Sequence, residues 1–121
     1  MTTRVVSLTA DLLFASRIEA VLRGAGYAVE TVEELSALES ALASAPAAVD
    51  VLDLHAGPRA GAVVASAKDV PVLAFGRHTQ PALLREARQA GCVDAVARST
   101  FVEEMVALVA RTVGAASAGD R

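Results

Sequence analysis

The stretch AAVDVLDLHAGPRAGAVVASAKDVPVLAFG, residues 47–76, decides the fold. It holds two apolar runs of strand length, 47–54 and 70–76, and between them an alanine-rich segment, 60–67, that reads as a short helix. Runs that are apolar on both faces suit strands covered by helices on either side. Two such strands joined through a helix lie parallel in one sheet, with a right-handed crossover. Pro71 does not break the second run, because a strand tolerates proline at its start.

The same alternation extends outward in both directions. Residues 4–8 (RVVSL) form a β-branched run, and 11–26 carry Leu13, Phe14, Ile18, Val21 and Leu22 at helical spacing until Gly24 and Gly26 stop the helix. YAVETV (27–32) alternates like an edge strand, Thr31 with Glu34 fits a capping box for a helix over 33–45, and Pro46 closes it. Downstream, Thr79 and Pro81 open a helix over 80–91 with Leu83, Leu84 and Ala87 on one face, and CVDAVA (92–97) reads as a fifth strand. A last helix over 99–113 has Thr100 and Glu103 as a second capping box and Val102, Met105, Val106, Val109 and Val113 as its buried stripe. Five strands alternating with five helices predict an α/β doubly wound parallel sheet with helices on both faces. One domain over 1–114 is expected, with 115–121 as a flexible tail.

Composition excludes several functions. A chain of 121 residues with 54% hydrophobic content supports one core. The net charge is −3 and the basic residues are scattered, so no stripe neutralises a nucleic-acid backbone. Cys92 is the only cysteine, which rules out an intrachain disulfide and a sulfur-rich zinc site, and its place beside a buried strand predicts a small core residue. With no signal-peptide pattern and no long uncharged apolar run, a cytoplasmic protein without membrane contact is expected.

Ligands of open α/β sheets bind at the carboxyl ends of the strands, where strand order reverses. The residues expected there are Thr9, Ala10 and Asp11 after the first strand, Asp53 to Gly57 after the third, Gly76, Arg77 and His78 after the fourth, and Arg98, Ser99 and Thr100 after the fifth. The enzyme motifs that use this edge are missing: Gly24 and Gly26 lie between a helix and a strand, the reverse of a dinucleotide fingerprint, and neither a G-K-[ST] loop nor a G-x-S-x-G elbow occurs. No catalytic residue is assigned and no enzyme activity is expected. Arg77, His78 and Arg98 could together hold an anion, while Asp11 and Asp53 are the candidate metal ligands.

The strand–helix order, Asp53 closing the third strand, LRGAGYAVETV after the first helix and ARQAGCVDAVARSTF through the fifth strand resemble the receiver domain of bacterial response regulators, over nearly the whole chain. The resemblance implies a CheY-like sheet of order 2-1-3-4-5 and a phospho-acceptor at Asp53. It further implies magnesium held by an acid pair after the first strand, a hydroxyl after the fourth, and a lysine followed by proline after the fifth. Matched residue by residue, the acid pair falls on Thr9 and Ala10 or on Ala10 and Asp11, the hydroxyl position is Gly76, the lysine is Arg98 and the proline is Ser99. An arginine keeps the charge but as a planar fork.

These departures predict an atypical, pseudo-receiver domain. It is expected to stand alone as a protein-interaction module in bacterial signal transduction, with an unidentified signalling partner, no cofactor and no phosphoryl switch. The alternatives are a phosphorylatable regulator using Asp53 with magnesium, and an anion or small-ligand sensor at the strand edge. In the pseudo-receiver reading Asp53 caps its turn or pairs with Arg98, Asp11 caps the first helix, Phe101 lies on a partner-facing surface, and a homodimer would form through the last helices.

Overall fold

The computed structural model describes residues 2–119, with side chains as far as Ala115. The elements run β1 (Arg4–Leu8), α1 (Leu12–Gly24), β2 (Ala28–Val32), α2 (Leu35–Ser44), β3 (Val49–Asp53), α3 (Ala60–Ala67), β4 (Val72–Gly76), α4 (Pro81–Gln89), β5 (Asp94–Ala97) and α5 (Arg98–Gly119). The strands form one sheet in the order β2-β1-β3-β4-β5, and every neighbouring pair is parallel. The doubly wound CheY-like order expected from the resemblance is therefore observed. The part of the expected tail at Asp120 and Arg121 lies outside the described residues, and α5 continues as helix to Gly119.

Alternation along the strands divides the core in two. Val5, Val49, Val51, Leu73 and Phe75 face Phe14, Ile18 and Leu22 of α1 and Phe101, Met105, Leu108 and Val109 of α5. Val6, Leu8, Leu52, Val72 and Ala74 face Leu38 and Ala41 of α2, Val63 and Ala67 of α3, and Ala87 of α4. Because β3 and β4 are covered on both sides, each shows five consecutive buried residues, the pattern of a central parallel strand.

Three local expectations are corrected. In α1 the buried stripe is Phe14, Ala15, Ile18 and Leu22, while Leu13 is 87% exposed and Val21 lies at the surface. The run LLFA offers several apolar phases, and the aromatic contact between Phe14 and Phe75, with centroids 5.1 Å apart, selects one of them. In α5 the stripe is Phe101, Met105, Leu108, Val109 and Thr112, which leaves Val106 40% exposed and Val102 and Val113 on the flanks. Its phase is set by Phe101, fully buried and stacked on Phe75 at 4.6 Å, so Phe101 belongs to the core and not to a partner-facing surface.

Neither expected capping box forms. The extended residue before α2 is Glu34, without a side-chain cap, and Thr31 stays in β2, where its hydroxyl donates to Glu19 Oε2 at 3.0 Å. Helix α5 starts at Arg98 directly from β5, so Thr100 falls inside its first turns, ahead of a non-helical Glu104.

Candidate functional site at the carboxyl edge of the sheet

Strand order reverses between β1 and β3, and their register pairs Leu8 with Leu52. The next residue of each strand is Thr9 and Asp53, and this register places the two side by side. Both are buried, Thr9 completely and Asp53 with 5% exposure. The Thr9 hydroxyl donates to Asp53 Oδ2 at 2.8 Å, and the amide of His55 donates to Asp53 Oδ1 at 2.9 Å in an Asx-type turn. Each carboxylate oxygen thus has a donor from the chain itself. A buried charge-assisted bond of this kind is worth about 1.5–3 kcal/mol.

The geometry also separates the two registers left open for the acid pair. Thr9 meets Asp53, Ala10 is exposed, and Asp11 turns away into a second cluster. Asp11 Oδ1 accepts from the Phe14 amide at 3.1 Å as the N-cap of α1, as expected, and its own amide donates to Thr9 Oγ1 at 3.2 Å. Its other oxygen, Oδ2, takes the Arg98 guanidinium at 3.1 Å. The Phe14 amide first and Arg98 second hold the Asp11 carboxyl below its ordinary value.

Arg98 lies with its Cζ 4.0 Å over the Phe14 ring, a stacking that a planar guanidinium makes well. The expected pairing of Arg98 with Asp53 is therefore corrected. The arginine is drawn to Asp11 and Phe14, and Asp53 is satisfied by Thr9 and the His55 amide.

After β4, the space above Gly76 is occupied. A Cβ built there would come within 3.3 Å of Leu54 Cδ1, 3.4 Å of Leu84 Cδ2 and 3.5 Å of His55 Nε2. The same His55 Nε2 accepts the Arg77 amide at 3.0 Å, joining the turn after β3 to the loop after β4. Arg77, His78 and Ser99 are exposed, and among the described residues no hydrogen bond or ion pair brings the side chains of Arg77 or His78 to Arg98. From the sequence His55 stands at the edge after the third strand, either as a solvated loop histidine or as a metal ligand with His78 and Asp53; the structure does not group the three as a metal site among the described residues. Its spacing of two after Asp53 is the sequence signal for the Asx turn that holds it.

The residues do not fit the magnesium that the resemblance implies. A hard divalent cation needs oxygen ligands with several negative charges, whereas here a hydroxyl and a methyl stand at Thr9 and Ala10 and Asp11 is neutralised by Arg98. Among the described residues no group of three or more His, Cys, Asp or Glu side chains is placed to hold a metal.

No protein-family model matches the sequence, and no curated relative matches it. Solved structures do match by shape. Full-length FixJ from B. japonicum aligns at 20% identity and a TM-score of 0.83 over 96% of this chain, which spans 60% of FixJ. The chemotaxis protein CheY4 of Vibrio cholerae aligns at 18% identity and a TM-score of 0.79, covering 93% of this chain and 99% of CheY4. A response regulator from Burkholderia pseudomallei, solved with a phosphorylated aspartic acid, calcium ion and citrate, aligns at 17% and 0.76 over 98% of this chain and 72% of its own. The chain therefore has the fold of the response regulator receiver domain, with Asp53 and Asp11 at its carboxyl edge engaged by Thr9, the His55 amide and Arg98.

Proposed function

We propose that this chain is a receiver-like protein-interaction module of bacterial signal transduction whose Asp53 is not a phosphoryl acceptor. The observation that carries this reading is the 2.8 Å bond from Thr9 to Asp53: a neutral donor stands at a position matched to the acid pair that the resemblance implies, and it donates to one oxygen of Asp53 while the His55 amide donates to the other. Transfer to a carboxylate needs a cation to offset the charge gathering on the phosphoryl oxygens. Arg98, tied to Asp11 and Phe14, does not supply it at Asp53.

Such a site favours one conformation over switching between two. Its signal would be carried by binding through the surface, and the partner would read the presence of the domain and not its modification state. The test is incubation with acetyl phosphate, and separately with beryllofluoride, with and without magnesium, followed by intact mass and by amide NMR around Asp53. No adduct and no magnesium-dependent shift are expected. A phosphoryl adduct that Asp53→Asn abolishes would overturn the reading in favour of a phosphorylatable regulator, the state in which the Burkholderia protein was solved.

A further inference from the structure

Asp50 lies outside the site described above. Alternation in β3 places its side chain with Leu52 on the α2–α3–α4 side of the sheet, between Val6 of β1 and Val72 of β4. It has no solvent exposure, and neither carboxylate oxygen has a hydrogen-bond partner. An ionised carboxylate in such a place would forfeit its hydration with nothing in return, so the compact fold requires the acid to be neutral.

The segment beside it is the α3–β4 connection, residues 68–71. A groove between α2 and the end of α3 is lined by Glu39, Leu42 and Ala67 and by Lys68, Asp69 and Val70 of the α3–β4 connection. That connection runs into Pro71, whose carbonyl accepts the amide of Asp50 itself at 3.0 Å. Lys68 closes α3 with φ 55° and ψ −111°, a backbone conformation that a side chain disfavours.

We propose that Asp50 is a proton-operated latch: with its carboxyl protonated the α3–β4 connection stays closed over the sheet, and release of that proton to solvent opens the connection to water. Burial pushes the Asp50 carboxyl up to about 8, which agrees with this geometry. An opened form returns it to the ordinary value of 3.8. The closed form is therefore most favoured below that ordinary value and loses its advantage steadily as pH climbs toward about 8.

Of the charged and titratable groups on the elements packed around β3, Cys92 before β5 interacts with Asp50, Glu39 of α2 and Lys68 and Asp69 of the connection line the neighbouring groove, and Arg4 of β1 reaches across to α2. The Cys92 thiol is itself pushed up to about 11, by burial and then by Asp50, and stays neutral throughout this range. Arg4 is engaged by Glu30 and by the carbonyls of Ala41 and Ala45, so it is not free to compensate Asp50 in the closed form. Lys68 is exposed.

The test is amide hydrogen exchange over α3 and the α3–β4 connection, corrected for the intrinsic pH dependence, in the natural protein and in Asp50→Asn. Opening in the natural protein is expected to rise about tenfold per pH unit between pH 5 and 7, and to stay flat in the variant. A second measurement needs no variant: carbon-13 NMR of the Asp50 carboxyl is expected to report the protonated form at pH 6, with ionisation only as pH approaches about 8. Identical exchange profiles in the two proteins, or a carboxyl already ionised at pH 6, would overturn the proposal. If Asp50→Asn fails to fold, the carboxyl titration decides alone.

Discussion

Thr9 carries one hydroxyl with two duties: it donates to Asp53 and receives the amide of Asp11. Thr9→Val keeps the shape and leaves a buried carboxylate oxygen without its donor. We expect a loss of about 1–3 kcal/mol, read as a lower urea midpoint at unchanged slope. An unchanged midpoint would mean that the hydroxyl does not hold the acid. Asp11 offers a separate test through pH, because Asn also caps helices and so Asp11→Asn removes chiefly the charge. The Asp11 carboxyl is held low by the Phe14 amide and Arg98, so its stabilisation is present above the ordinary value of 3.8 and lost as pH falls through the lowered one. The gap in urea midpoint between the natural protein and Asp11→Asn should therefore close on acidification, and should narrow in high salt. At this scale Asp53 was legible because an acid ended an apolar strand. Its partner was not, since nothing in TADLL says which residue faces across to β3. Asp50 was legible in principle: in a strand covered on both faces, the period of two in VDVLD points it at the core beside Leu52.

The elements themselves were readable almost to the residue where composition changes sharply, as at β1 and α3, while the phase of the helices was not. Alanine and valine recur around α5, so spacing alone could not choose between a stripe through Val102 and Val106 and one through Phe101 and Met105. The choice is made by tertiary contact. Phe14, Phe75 and Phe101 come from α1, β4 and α5 and form one aromatic group, with Arg98 stacked on its outer ring. This group joins the two helices of one face to the centre of the sheet and lies under the Asp11–Arg98 pair. Phe101→Ala should cost about 3–5 kcal/mol as a large cavity in a close-packed interior. Loss of near-ultraviolet order around Phe14 and a shift of the Arg98 side-chain resonances should accompany it. A cost under about 1 kcal/mol would place the packing energy elsewhere, since burial of an aromatic ring alone exceeds that. The capping boxes failed for the opposite reason: Thr31 and Thr100 fit a local motif, but the sheet claimed Thr31 for β2 and β5 ran straight into α5.

For the whole molecule, the parallel topology fixes what stands at the carboxyl edge regardless of which residues occupy it. The reversal between β1 and β3 sets residue 9 beside Asp53 by register, with residue 10 next along the chain, and these places hold a hydroxyl and a methyl. If side chains alone deny the edge a cation, returning carboxylates should restore one. The double variant Thr9→Asp, Ala10→Asp would crowd like charges near Asp53, so its melting temperature should fall below that of the natural protein when no divalent ion is present. Adding magnesium should then raise it, because an ion bound only by the folded state shifts unfolding by mass action, while the natural protein should be indifferent to the same addition. A variant that is destabilised yet deaf to magnesium would place the obstacle in the backbone of the β1–α1 turn, where Asp11 caps α1 and its ion pair with Arg98 pulls the turn toward the Phe14 side.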